Sequence, residues 1–402
     1  MWNAVVDGET AGFWPPRRNR FWSIALEPWR RWYLHRYYGI AEVAVQGLPN
    51  FDRQFGPRDG VLLAPNHSQD SDPHVMLEAG HRAGRPFYFM AAWQLFRTRG
   101  GLDGFLLQRM GAFSVDREGC DRRAIQQAIT LLTTGNSLVV FPEGEVYRLN
   151  ERLTPLLDGV AFMAVSAQRD LDREAAGRRV WIVPAAIRYR YVDDISPQLA
   201  AAMDRLEARM LIKSSPNSPL SERIVRFGEL LLTIKEKERL GRSCETDGDL
   251  PTRVGRLLEH LLARHETAYL KRTPSAETVP LRIKALRRQL LTLWTDEASD
   301  SATRIAARDA LDDVQLVLQL YSYPGNYISQ KPTLERMAET IEKFEEDLDG
   351  QTRPKGRRRA TLLFGDPIDL SQFSNQGRPR IVAAEVTDKL EAAIQSLMAM
   401  EF

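Results

Sequence analysis

Four apolar runs, Val61–Ala64, Phe87–Ala91, Leu138–Phe141 and Val180–Tyr189, punctuate the first half of the chain. Short runs rich in Val, Leu, Ile and Phe predict buried strands. Intervening stretches such as Arg122–Leu132 repeat their apolar residues at helical spacing. From Ile40 to Tyr191 this alternation predicts an α/β layout, a mixed sheet flanked by helices. From about Ser196 to Gly350 the strand runs vanish and charged, helix-favouring residues take over. There Leu311, Val314, Leu318 and Tyr321 fall on one helical face, and Pro216, Pro219, Pro251, Pro274, Pro280 and Pro324 mark breaks. That stretch predicts a bundle of several helices. A strand pattern returns at Ala360–Phe364, ends in Gly365-Asp366-Pro367-Ile368, and leads to a helix from about Thr387 to Met400.

The N-terminal stretch is different again. Five of the eight tryptophans (Trp2, Trp14, Trp22, Trp29 and Trp32) lie among Arg17, Arg18, Arg20, Arg30, Arg31 and Arg36, followed by Tyr33, Tyr37 and Tyr38. Phe21–Tyr38 predicts one or two amphipathic helices divided by Pro28. Tryptophan and tyrosine favour the headgroup level of a bilayer, and arginine attracts anionic lipids. The stretch therefore reads as an interfacial membrane contact, or as helices packing their aromatics onto the protein's own core.

Composition narrows the classes. With 402 residues and 43% apolar content the chain can build one large domain or two ordinary ones. A net charge of +2 and no nucleic-acid-binding signature argue against RNA or DNA as a partner. Cys120 and Cys244 lie far apart in polar surroundings, which fits a reducing cytosolic side better than a disulfide framework. No apolar run is long enough for a membrane span. Asp7, Glu9, Pro15, Pro16, Arg17 and Arg18 do not suit a signal peptide.

Candidate chemistry sits after two of the predicted strands, where α/β sheets place their sites. Asn66-His67-Ser68-Gln69-Asp70-Ser71-Asp72 follows Val61–Pro65, and Phe141-Pro142-Glu143-Gly144 follows Leu138–Val140. A histidine has the pKa of a general base near neutral pH. A carboxylate on its far nitrogen fixes the tautomer and stabilises the imidazolium. His67 and Asp72 form such a pair if the turn folds the carboxylate back. Pro73 marks the first turn of a helix running to about Arg82, with Asp72 as its N-cap; Asp72 also reads as a plain cap. A rival reading takes His67, Asp70, Asp72 and His74 as metal ligands of a hydrolase. Further ligands are scarce, since the chain has six histidines and His260 and His265 fall in a polar helical stretch.

Together the two segments resemble the glycerolipid acyltransferase family, which includes the lysophosphatidic acid acyltransferases. Gly111-Ala112-Phe113-Ser114-Val115-Asp116-Arg117 resembles its second block, and Pro184-Ala185-Ala186-Ile187 its fourth. The resemblance implies a glycerol-3-phosphate acyltransferase-like fold, and transfer of an acyl group from coenzyme A or acyl-carrier protein to a lysophosphatidic acid or related lysolipid. It implies His67 as base, Asp72 as its orienter, and Arg117, Glu143 and Gly144 as acceptor-binding residues, with no cofactor or metal. Leu102, Phe105, Leu106, Leu107 and Met110 would line the acyl channel, and read equally as ordinary core. The family's third block continues Thr-Arg-Ser, whereas this chain reads Glu145-Val146-Tyr147-Arg148. Either Arg148 substitutes for the missing arginine, or the acceptor is not a simple glycerol phosphate.

The strand ending Gly-acid-Pro-Ile resembles the family domain's closing element. The resemblance then covers about Ile40–Tyr191 and Ala360–Met400. This divides the chain into N-terminal membrane-contact helices (1–39), a first acyltransferase part (40–195), a helical insertion (196–355) and a closing strand and helix (356–402). It implies a peripheral enzyme on the cytoplasmic face of a membrane. A non-catalytic membrane-binding scaffold is a further rival; its lipid binding would survive His67→Ala.

Overall fold

The computed structural model describes residues 12–47, 55–119, 121–213, 217–241, 247–271, 277–296, 298–352, 354–374 and 376–400. Trp2, Asp7, Glu9, Cys120, Pro216, Cys244 and Pro274 lie outside the described residues. By contact the chain divides into two units, Met1–Arg190 with Arg357–Phe402, and Tyr191–Gly356.

The first unit carries a mostly parallel sheet flanked by helices. Its elements begin with α1 (Arg20–Ala25), α2 (Glu27–Arg36), β1 (Ile40–Gln46), β2 (Gly60–Pro65), α3 (Asp72–Arg82) and β3 (Phe87–Ala92). They continue with α4 (Leu102–Arg109), β4 (Ala112–Val115), α5 (Arg122–Thr133), β5 (Ser137–Val139), α6 (Gly159–Arg173) and β6 (Val180–Tyr191). After the second unit the chain adds β7 (Arg358–Phe364) and β8 (Ile368–Asp369) and closes on a long helix over Pro379–Ala399. The eight described strands run in the order β1-β7-β6-β2-β5-β3-β4, with β8 antiparallel on β6. All six residues of β2 are buried, which explains its unbroken apolar run at the sheet centre.

Strand alternation divides the core into two layers. Leu62, Ala64, Leu138, Val140, Val180 and Ile182 face one layer, covered by α5, α6 and the closing helix. Val61, Leu63, Val139, Val183, Ala185 and Ile187 face the other, beneath α2 and α3. Gly60 is required at the start of β2, because a Cβ there would lie 2.3 Å from the Leu132 carbonyl oxygen. Strand β6 outruns β2, and two asparagines complete its ladder. The Asn66 amide exchanges two hydrogen bonds with the Ile187 backbone (2.7 and 3.1 Å), and Asn150 does the same with Tyr189 (2.7 and 2.9 Å).

The N-terminal helices break beside Pro28 as expected, but the aromatic–basic stretch does not act as one face. Trp14 packs against the core, stacked on Phe96 at 5.8 Å. Arg30 is 2% exposed: it pairs with Glu27 and Glu78 and donates to the His74 carbonyl at 3.1 Å. The helix periodicity selects Arg30 and Leu34 for burial, while Trp29, Trp32 and Tyr37 remain exposed. Leu102 and Phe105 are also exposed, so they do not join the core; Phe105 meets Trp22 of α1 edge-on at 5.5 Å. Leu106 and Met110 are half-buried, and of this patch Leu107 packs against the core.

The second unit is helical: α7 (Ser196–Arg209), α8 (Leu220–Leu240), α9 (Leu250–His265), α10 (Val279–Thr295), α11 (Ser301–Ser322), α12 (Tyr327–Gln330) and α13 (Leu334–Asp349). The last helix of the first unit is α14 (Pro379–Ala399); its proline in the first turn starts it earlier than the expected Thr387. In α11 the buried stripe is Ala307, Ala310, Leu311, Val314, Val317 and Leu320; Leu318 and Tyr321 lie on its flank.

Three helices of this unit share a motif. Arg223, Arg253 and Arg282 each stand fourth in their helix and precede Ile224, Val254 and Ile283. Phe227, Leu257 and Leu286 follow on the same face, then the pairs Leu231-Leu232, Leu261-Leu262 and Leu290-Leu291. Each arginine forks onto a buried glutamate sixteen or seventeen positions earlier, Glu207, Glu236 and Glu266, with Nε–O distances of 3.2 Å in all three. A unit recurring about every 30 residues is the mark of a helical repeat.

Candidate active site

The turn after β2 and the start of α3 bring His67 and Asp72 together. His67 Nδ1 lies 2.9 Å from Asp72 Oδ2, and Asp72 has no exposed surface. The same oxygen accepts the Gln69 N–H at 2.9 Å, and Oδ1 accepts the Tyr189 hydroxyl. Ser71 Oγ donates to the Tyr189 oxygen at 2.9 Å. Burial beside the Asp72 carboxylate pushes the Tyr189 hydroxyl well above its ordinary pKa, so it remains a donor. Helix α3 begins at Asp72 with Ser71 as its N-cap. Asp72 is therefore not the cap expected from the sequence; its carboxylate turns back to His67, Gln69 and Tyr189. With Nδ1 engaged by the carboxylate, the basic lone pair of the neutral ring is on Nε2. The Phe141 ring stacks on the imidazole with centroids 3.9 Å apart.

Glu143 follows β5 and turns inward, 3% exposed. Oε1 accepts the His67 backbone N–H at 2.6 Å; Oε2 accepts the Thr154 N–H at 3.0 Å and its hydroxyl. Burial raises its pKa to about 7, against the opposing hydrogen bonds from Thr154 and His67. Both oxygens thus tie the His67 turn to the loop at Thr154. Gly144 has φ +77°, a turn that favours glycine, and its carbonyl accepts Arg117 Nη1 at 3.3 Å. Arg117 Nη1 also donates to Glu145 Oε2 at 2.9 Å. Arg148 Nη2 donates to Asp70 Oδ2 at 3.0 Å.

A family model described as Acyltransferase matches residues 42–188, from within β1 to within β6. Residues 42–188 are an acyltransferase-family domain. No curated protein matches the chain. The matched residues contain His67, Asp72, Glu143 and Thr154, end one position before Tyr189, and support acyl transfer as the general activity.

The acyltransferase site does not gather the four residues of the metal reading. His74, one turn into α3, tilts against Tyr33 and Tyr38, with centroids 5.7 and 5.4 Å away, and Asp70 is engaged by Arg148. Burial, helped by the Arg30 charge, pulls the His74 pKa down to about 4. Among the described residues no three His, Cys, Asp or Glu side chains are grouped to share a metal. Tyr189, Thr154 and Asn150 are partners the sequence reading did not name. Tyr189 had a usable signal, since it continues the inward alternation of Val183, Ala185 and Ile187. Thr154 and Asn150 had none.

Proposed function

We propose that the acyltransferase moves a fatty acyl group from a thioester of coenzyme A or acyl-carrier protein to a hydroxyl of a glycerolipid-type acceptor, lysophosphatidic acid or a related lysolipid. His67 Nε2 takes the hydroxyl proton as the oxygen attacks the thioester carbon. Asp72 orients the ring and stabilises the imidazolium. The observation carrying this reading is the pairing of His67 with the buried Asp72, itself fixed by Gln69 and Tyr189. Glu143 holds the His67 backbone through its N–H and so acts as a positioning residue. After attack the thiolate leaves and the imidazolium returns its proton to it. No step of this reading calls for a metal or cofactor.

Membrane contact is the second part of the proposal. Phe21, Ile24, Trp29, Trp32, Tyr37, Leu102 and Phe105 are exposed large apolar side chains on α1, α2, their exit and α4. Arg20, Arg31 and Arg36 stand among them and are exposed as well. This composition suits a peripheral contact with an anionic, cytoplasmic membrane face. Among the described residues no helix is long and apolar enough to cross a membrane.

The test is free-thiol release from acyl-coenzyme A and acyl-carrier-protein donors, with lysolipid acceptors, for wild type and His67→Ala, each with and without EDTA. We expect acceptor-dependent release, lowered about 10²–10⁴-fold by His67→Ala and indifferent to EDTA. Release that persists in His67→Ala, or that EDTA abolishes, contradicts the assignment.

A further inference from the structure

The residues at the mouth of the site bear on the acceptor's headgroup. Two arginines stand there, and each is already matched by a carboxylate of this chain. Arg117 Nη1 donates to Glu145 Oε2 at 2.9 Å and to the Gly144 carbonyl at 3.3 Å. Arg148 Nη2 donates to Asp70 Oδ2 at 3.0 Å. Both carboxylates ride on the loops that carry the chemistry: Asp70 lies three positions after His67, and Glu145 two after Glu143. These pairs are partly shielded, with side-chain exposures of 26% and 25% for Arg117 and Glu145, and 17% and 37% for Arg148 and Asp70. After Gly144 the loop continues Glu145-Val146 and offers no arginine at these two positions.

A site that grips a phosphomonoester presents guanidinium forks to its oxygens and a positive field to its nearly double negative charge. Here the two cations and two anions cancel. A dianion approaching either guanidinium would also come up against the carboxylate already bound to it. Arg117 Nη1 is occupied by Gly144 and Glu145, while Nε is buried without a hydrogen-bond partner, a donor available to a hydroxyl or ester oxygen.

We propose that the acceptor carries no phosphomonoester, and that the paired Arg117–Glu145 and Arg148–Asp70 select a lysolipid whose headgroup is zwitterionic or uncharged. This rests on the acyltransferase reading and narrows its acceptor class. Asp70 and Glu145 are then specificity-determining residues, excluding the dianion by occupying the arginines.

The experiment compares acceptors of one acyl chain in uncharged mixed micelles: lysophosphatidic acid, lysophosphatidylcholine and monoacylglycerol. Thiol release gives kcat/KM for the wild type and for an Asp70→Asn, Glu145→Gln double variant. Equilibrium binding of the same lipids to His67→Ala gives affinity without turnover. The proposal expects the zwitterionic or neutral acceptors to exceed lysophosphatidic acid by at least about tenfold in both assays. It also expects the double variant to move that ratio toward lysophosphatidic acid by a similar factor. A wild-type preference for lysophosphatidic acid in either assay overturns it, as does a ratio unchanged in the double variant. Absence of thiol release with every acceptor overturns the acyltransferase reading instead, and binding to His67→Ala still decides the headgroup.

Discussion

The buried acids of the candidate site and those of the helical repeat are held in two different ways. In the sheet unit Asp72 and Glu143 are bound by neutral donors: backbone N–H groups of Gln69, His67 and Thr154, and hydroxyls of Tyr189 and Thr154. In the helical unit Glu207, Glu236 and Glu266 are each bound by the fork of an arginine. With no arginine fork, the Asp72 carboxylate can act on the imidazole it touches, whereas buried Glu143, its pKa pushed up to about 7, holds the His67 backbone. A carboxylate in an arginine fork is neutralised on the spot and serves to lock helices in register. The same residue type therefore builds chemistry in one unit and architecture in the other.

The largest effect that would sharpen this contrast is on stability. Arg253→Ala leaves Glu236, which has no exposed surface, without its fork, and should cost about 3–5 kcal/mol in chemical denaturation. Replacing Arg253 and Glu236 together by Met and Leu should recover most of that loss. A single variant within about 1 kcal/mol of wild type would break the idea of a latch.

A smaller effect concerns pH. Glu143 has a folded pKa of about 7, above its ordinary 4.5, so the folded state holds a proton that the unfolded chain gives up. Stability from this group falls as pH rises from about 4.5 to about 7. His74 has a folded pKa of about 4, below its ordinary 6.5, so the unfolded chain takes up the proton first. Its contribution is present above 6.5 and is lost as pH falls toward 4. Between about 4.5 and 6.5 the two slopes oppose each other, each at most about 1.4 kcal/mol per pH unit. Denaturation midpoints of Glu143→Gln should therefore rise with pH across that window, and those of His74→Phe should fall. Parallel profiles for the two variants would show that burial shifts neither group. The smallest effect belongs to a surface pair outside both classes: Lys389→Ala breaks the exposed contact to Glu385 and should change stability by less than about 0.5 kcal/mol.

Much of the sheet was legible because β2 and most of β6 are buried on both faces and so read as unbroken apolar runs. His67 and Asp72 were legible because they lie five positions apart within one turn. Tyr189 was not, because its hydrogen bond to Asp72 crosses 117 positions and depends on the strand order. Composition also misled at the N-terminus. Arg30 and Trp14 looked like parts of one lipid-facing surface, but helix phase and packing buried them, while Trp32 and Phe21 stayed outside. The arginine forks were visible in principle as a recurring Arg at one position of successive helices, a pattern hidden by the high overall charge of that stretch.

The central claim is that the uncompensated Asp72 carboxylate makes His67 a base. Steady-state thiol release by Asp72→Asn tests it most directly, since the amide keeps the shape and removes the charge. The account predicts kcat about 10³-fold below wild type or lower, with the folded state retained and KM for the thioester little changed. A kcat within a few-fold of wild type would contradict it, and would return Asp72 to the role of a residue that merely opens a helix.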